Sequence, residues 1–480
     1  MQRFTEPGAV VVALLGVLVA SSGHCRAVEV GFGKADITPD AGGPKPVWIA
    51  GYGHNRRATG VHDPLYARAV VVRDGPTKVA LVSVDLVGFM YPSTKNVRAK
   101  LEGFTYVLVS STHNHEGPDT IGLWGPSIRE SGVDPDYLKK AEAGVVEAVR
   151  SADASAVPAR AEYGTAEDET LVRDSRLPIA KDGVIRVLRF VRNDDGQTDG
   201  LLVQWNCHPE TLGGKNTLIT ADFPASVIAA LEKRYSAPVA YFSGAVGGLM
   251  TGPRDRIKTE QGEPLAEGQY EYAERYGAAV SELAAKALKG AEAVNLSPIA
   301  VAAKPLGIPL ANLGYRVGRE LGVLKREAFE WTGDPMRLGN RLPEHLATGH
   351  IAMETEVGYL RLGQVHVAAI PGELYPELVY GHFQDPADPN ADFPTAPLEP
   401  AVLKTLPGSK ALILGLANDE VGYIIPKRQW DDRPPFAYGR TTKQYGEINS
   451  VGPETAPILM QALVERVREA GETVSGAGRP

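Results

Sequence analysis

Four hundred and eighty residues, 43% hydrophobic and 22% charged, supply enough apolar material for a large buried core. The formal net charge of −8 argues against non-specific binding to nucleic acid or to an anionic membrane surface. Length alone admits one to three domains, and no internal repeat or low-complexity tract divides the chain.

At the N-terminus Arg3 precedes the apolar run Ala9 to Ala20 and then small residues up to Cys25-Arg-Ala27, the layout of a secretory signal peptide. The run is well short of the ~20 residues that span a bilayer. Cleavage near Ala27 makes residues 1–27 a signal peptide and sends the protein to the periplasm or the medium, with Cys207 as its one cysteine and no internal disulfide. Residues 28–474 then form one domain, and Ser475 to Pro480 a frayed tail.

From Val28 a strand leads into a loop through Pro39, followed by Trp48-Ile-Ala-Gly-Tyr-Gly53. Ala69 to Arg73 and Val79 to Leu86 read as strands, with Asp85 near the end of the second. Asp134-Pro135 opens a helix with an acidic cap and Pro in the first turn. Asn193-Asp-Asp-Gly196 turns between the runs Ile185 to Val191 and Leu201 to Trp205, a hairpin. The spacing predicts helices over Phe223 to Tyr235, Ala273 to Val294 and Thr455 to Ala470. Thr251 to Glu271 and Ala311 to His350, rich in Gly, Pro and charge, read as functional loops or a lid. The alternation of strands and helices makes an α/β fold, with mixed sheets flanked by helices and ligands carried on loops at strand ends.

Four apolar runs end in polar residues suited to one site. Tyr106 to Ser110 opens into Thr112-His-Asn-His-Glu-Gly-Pro118; an extended backbone would turn His113 and His115 the same way. Spacing alone leaves a pair of inert loop histidines equally open, since a metal site needs three or four ligands. Leu201 to Asn206 leads to His208, Val365 to Ile370 leads through Pro-Gly to Glu373, and Ala411 to Leu416 leads to Tyr423. Singly, a core histidine and a packed tyrosine are the simpler readings. Together, two imidazoles, a carboxylate and a phenol suit zinc.

The stretches Gly33-Lys-Ala-Asp-Ile-Thr-Pro39, Thr112 to Pro118, Ala221-Asp-Phe-Pro224, Ile370-Pro-Gly-Glu373 and Asn418-Asp-Glu-Val-Gly-Tyr423 resemble, in order, the neutral/alkaline non-lysosomal ceramidase family. That resemblance implies one zinc per chain, held by His113, His208, Glu373 and Tyr423. It also implies His115 and Tyr445 as catalytic contacts, Arg176 in the substrate pocket and Asp222 behind the ligands. The activity implied is hydrolysis of the N-acyl amide of ceramide, and the partner a lipid or other N-acyl small molecule, reached at most through transient contact with a membrane surface.

Two departures stand out. The family's glycine-rich loop has Asp, and two residues on Ser or Asn, where Ser243-Gly-Ala-Val-Gly-Gly-Leu-Met-Thr251 has Gly248 and Met250. The chain also ends where larger members continue into an immunoglobulin-like domain. Three rivals stay open: a zinc amidase or esterase on another acyl compound, serine chemistry at Ser243, which lacks a Gly-x-Ser-x-Gly elbow, and a non-catalytic binding protein.

Overall fold

A computed structural model describes residues 28–248, 250–346 and 348–472. The signal peptide expected over residues 1–27 and the frayed tail expected over 475–480 lie outside the described residues. The first half runs β1 (Val28–Asp36), β2 (Gly60–Val61), β3 (Tyr66–Asp74), β4 (Thr77–Val84), α1 (Tyr91–Arg98), β5 (Tyr106–Ser111), α2 (Pro135–Ala154), β6 (Val157–Glu167), β7 (Val184–Arg192) and β8 (Thr198–Trp205). It continues through β9 (Leu218–Ile219), α3 (Phe223–Tyr235), β10 (Val239–Ser243), α4 (Tyr270–Lys289) and β11 (Glu292–Val294). The second half holds β12 (Ile299–Pro309), α5 (Leu313–Glu320), β13 (Phe329–Trp331), β14 (Leu338–Arg341), β15 (Ile351–Leu362) and β16 (Val365–Ala369). It closes with β17 (Glu373–Leu374), α6 (Pro376–Tyr380), α7 (Val402–Thr405), β18 (Ala411–Leu414), β19 (Tyr423–Ile424) and α8 (Thr455–Glu469).

The first large sheet has the order β10-β8-β7-β6-β1-β3-β4-β5, with β11 added beside β6. Its end pairs β10–β8 and β4–β5 are parallel and the pairs between them antiparallel. The sheet curls until its edge strands face one another without a ladder: Ser83 Oγ donates to Tyr241 O, and Ser243 Oγ to Thr112 O at 2.7 Å. The strand exits that carry His113 and His208 therefore meet. The second sheet, β14-β13-β15-β16-β18 with β12 beside β15, packs on the first through a shared apolar layer that includes Val70, Leu81, Leu202, Leu360, Val367 and Leu412.

A short crossing segment fastens the second sheet to β5. Ser110 Oγ donates to Gly415 O at 2.8 Å, while Asn418 N donates to Val109 O and Val109 N to Asn418 Oδ1. This brings the exits of β16 and β18 over that of β5, the usual place for a site in such sheets.

Several local expectations change. The helix expected over 273–294 spans Tyr270–Lys289 and stops at Gly290; Glu292–Val294 pairs antiparallel with β6 instead, because a short end with one buried apolar residue, Val294, fits an open stretch of sheet as well as a helix face. Trp48 to Gly53 makes only isolated bridges, at Trp48 and Ile49. The region 311–350 is less irregular than its composition suggests, for it contains α5 and the β13–β14 hairpin that extends the second sheet. Asp134 caps α2 as expected, its carboxylate accepting from Asp136 N at 2.9 Å.

Candidate metal centre and its cleft

His113 leaves β5 with φ of 67°, a left-handed turn rather than the extended backbone that alternation implied. The turn still points both rings of the pair inward, with His113 and His115 centroids 4.8 Å apart. His113 Nδ1 donates to Val87 O at 2.7 Å, and His208 Nδ1 to Met250 O at 2.9 Å. Those carbonyls fix both rings, so each Nε2 faces the middle of the site. Glu373 sits there, its Oε2 at 2.9 Å from His208 Nε2 and 3.4 Å from His113 Nε2. A two-residue parallel ladder sets Glu373 beside Tyr423, whose hydroxyl lies 3.5 Å from His208 Nε2.

This arrangement fits a cation. With each Nδ1 proton committed to a carbonyl, a neutral imidazole turns a lone pair toward the Glu373 carboxylate, and lone pair against carboxylate repels. Extra protons, or a metal ion between the three groups, reconcile it. Burial would raise the Glu373 carboxyl, but the charges and hydrogen bonds of His113 and His208 outweigh burial and hold it below the usual carboxylate range. The same partnership raises His113 against the opposing effect of its burial. Burial and Glu373 push the Tyr423 phenol well above its ordinary value, a direction that a bound cation reverses.

His115 offers a third imidazole, and the ligand atoms of His113, His115 and His208 all lie within 4.8 Å of one another. Its ring packs so closely on residue 51 that a Cβ there would sit 2.3 Å from Cγ, and with φ of 95° only glycine fits. Burial, then the neighbouring His113 and His208, holds His115 well below the usual histidine range, so it is neutral at pH 7. Its Nδ1 is buried without a hydrogen bond, 3.6 Å from Glu210 Oε2. Tyr445 is 48% exposed and meets Tyr423 edge to face, with centroids 5.8 Å apart. Asn449 Nδ2 donates to its hydroxyl oxygen, which leaves the phenolic proton for an acceptor in the cleft.

Arg176 is 2% exposed and does not line the cleft. It makes a two-pronged pair with Glu447, at 2.7 and 2.9 Å, and donates to Tyr445 O at 2.8 Å, so it braces the loop that carries Tyr445. Asp222 caps α3 and accepts from Thr211 Oγ1 at 2.6 Å, holding the chain three residues beyond His208. Ser243 donates to Thr112 O, and no imidazole contacts its hydroxyl. The altered glycine loop lies behind the centre. Gly248 has φ of 74° and faces the carboxylate of Asp174, where an aspartate would add strain and a like charge. Met250 buries its side chain in the cluster of Trp205, Tyr241 and Tyr272 and presents only its carbonyl to His208.

Above the centre opens a cleft with Ile121, Leu123, Trp124, Leu310, Leu324 and Met353 in its walls and His113, His115, Glu373 and Tyr423 at its floor. Glu420 also lines it, a buried carboxyl raised well above the usual range by burial and by Glu373. One of its oxygens accepts from Gly422 N and the other has no partner. Glu210 and Glu420 were not singled out in the sequence; the acid two residues after His208 and the acid inside Asn418-Asp-Glu-Val-Gly-Tyr423 were the available signals.

Residues 28–250 match the family model described as the neutral/alkaline non-lysosomal ceramidase N-terminal domain. The fold is similar to that of neutral ceramidase from Pseudomonas aeruginosa, at 17% identity and a TM-score of 0.68, over 95% of this chain and 76% of that one. It is likewise similar to a ceramidase complexed with C2, at 17% identity and a TM-score of 0.67, over 94% of this chain and 77% of that one. No curated protein matches the chain. The ordered motifs and the family model agree on the neutral/alkaline non-lysosomal ceramidase family for residues 28–250, and the likeness over the rest of the described chain is one of fold.

Proposed function

We propose that the protein is an exported, zinc-dependent amidohydrolase that cleaves the N-acyl amide bond of ceramide to a sphingoid base and a fatty acid. The observation that carries this reading is the Glu373 carboxylate set between two imidazoles whose Nδ1 atoms are committed to backbone carbonyls, at the floor of an apolar cleft. His113, His208, Glu373 and Tyr423 would hold one zinc. Glu373 lies nearer the Nε2 atoms of His113 and His208 than the 4.8 Å spread of the three histidines, which favours this set over a three-histidine one. Zinc held there supplies a Lewis acid and lowers the pKa of water to about 7.

The chain's own groups do the rest. The apolar walls take an acyl chain and exclude water from the reacting carbonyl. His115, neutral and orphaned at Nδ1, and the free phenolic proton of Tyr445 face the cleft as donors to a developing oxyanion. Glu210 Oε2 lies 3.6 Å from His115 Nδ1, beyond a hydrogen bond. Export rests on the signal-peptide layout of residues 1–27; among the described residues no helix is long and apolar enough to cross a membrane.

A second reading keeps the zinc and changes the amine half of the substrate, and the buried, half-satisfied Glu420 in the cleft wall favours it. Hydrolysis of a fluorogenic ceramide by purified protein, with chelator and then zinc added back, tests both. Cleavage lost to chelator and restored by zinc supports the first reading. Protein that retains about one zinc per chain and leaves ceramide intact transfers the chemistry to another acyl compound.

A further inference from the structure

Two polar groups beside Gly422 in the cleft wall are left unspent, and neither is one of the proposed metal ligands. Glu420 reaches the wall from the turn before β19. One of its carboxylate oxygens accepts from Gly422 N at 2.7 Å, and the other, buried, has no partner. Tyr315 reaches the wall from α5, a helix that turns Leu313, Val317, Glu320 and Leu321 to solvent and this half-buried ring to the cleft. Its hydroxyl has no hydrogen-bond partner among the described residues and lies 3.1 Å from where a Cβ on Gly422 would sit. Gly422 has φ of 78°, and that Cβ would meet Asn449 O at 1.8 Å, so no side chain at this position covers the two groups. Gly422 O accepts from Glu373 N at 3.0 Å and the residue precedes Tyr423, which sets the niche beside the centre and within a few bonds of a reacting amide.

The pair is complementary to one kind of group. Burial, then the nearby charge of Glu420, pushes the Tyr315 phenol well above its ordinary value, so it keeps a proton to donate. The free oxygen of Glu420 accepts a hydrogen bond when the carboxyl is ionised and can donate one when it is protonated. An alkyl group would leave both without a partner in an apolar wall. An ammonium would leave the Tyr315 proton idle, and an anion would be set against Glu420. A hydroxyl accepts from the phenol and shares a hydrogen bond with the carboxyl in either form. We infer that Tyr315 and Glu420 are specificity-determining residues that together take a hydroxyl carried by the substrate close to its amide. The hydroxyl stands on the wall alone; which bond is then cut rests on the amidase reading.

The test titrates purified wild type, Tyr315→Phe and Glu420→Met calorimetrically with N-ethyldodecanamide, N-(2-hydroxyethyl)dodecanamide and N-ethyl-2-hydroxydodecanamide, then measures hydrolysis of each. The amides share a chain length and differ by a hydroxyl on the amine half or on the acyl half. The wild type is expected to bind one hydroxylated amide about tenfold more tightly than the plain one, or better still, and the favoured isomer tells which half enters the niche. Each variant is expected to bring that ratio near one. The ratio is taken within one preparation, so partial misfolding does not imitate its loss, and Tyr315→Phe, which removes a single oxygen, carries the test if Glu420→Met fails to fold. Equal binding of the amides by wild type, or a preference that Tyr315→Phe retains, overturns the proposal and assigns the free oxygen to water. Failure to bind any of them overturns it as well. A preference that the variants lose, in a protein that cleaves none of the amides, upholds the niche and defeats the amidase reading instead.

Discussion

The metal centre and the rim of its cleft are built on opposite plans. At the centre the proposed ligands are buried and fixed through the backbone: His113 by Val87 O, His208 by Met250 O, and Glu373 by a ladder to Tyr423. At the rim, α5 is held by its arginines and leaves its large apolar side chains in solvent. The contrast teaches that geometry is protected where bonds are to be made and broken, while the rim tolerates apolar side chains left in solvent. Chemistry and access then respond to different substitutions.

The largest expected effect is at the centre. His113→Ala removes one of four proposed ligands, and amide hydrolysis is expected to fall by about three orders of magnitude, roughly 4 kcal/mol of barrier, with zinc content by mass spectrometry falling alongside. An active variant with full zinc would remove the centre from the mechanism. Arg176 tests whether the wall behind Tyr445 belongs to the rigid part. Arg176→Met strands the buried Glu447, and unfolding in denaturant is expected to become easier by about 3–5 kcal/mol. An unchanged transition would place that loop with the adaptable rim.

Tyr445 stands between the two regions. Tyr445→Phe keeps the ring and loses the proton, so kcat is expected to drop by about two orders of magnitude with KM nearly unchanged. A change in KM alone would make Tyr445 a wall of the cleft. The smallest effect probes Glu377, buried on α6 just behind the centre and raised by burial from 4.5 to about 7. Since its folded value lies above its unfolded one, its contribution to stability is complete below about 4.5 and fades as pH rises through about 7. Glu377→Gln is expected to flatten that decline in thermal melts across the same window; an unaltered slope would assign the decline to other acids.

The residues that meet at the centre were legible in the sequence because each is a distinctive side-chain type at the end of an apolar run. An imidazole, a carboxylate and a phenol at the ends of apolar runs leave few substitutes, and the structure brings His113, His115, His208, Glu373 and Tyr423 to one point. Strand and helix periods gave most elements, including Phe223–Tyr235 at both ends. Other features left no such signal. The convergence of β5 and β10 depends on the curl of a long sheet, a property of no single residue. Arg176 looked like a pocket residue because its burial against Glu447, 271 positions away, is a tertiary fact. The apolar stripe of α5 was hidden by Gly314, Gly318 and the charges around it, which read as loop.

The carbonyls that orient the two imidazoles have a consequence for how this protein can change. Any amino acid at positions 87 and 250 brings the same oxygen, so the supports of His113 and His208 are inherited with the path of the chain and not with its letters. Side chains there are free to follow the needs of the core, as Met250 does. A relative at 17% identity can therefore share this fold while a survey of side-chain replacements passes over what steadies the histidines. An amide-to-ester replacement made at position 88 or 251 by semisynthesis would weaken the carbonyl before it and reach those supports directly.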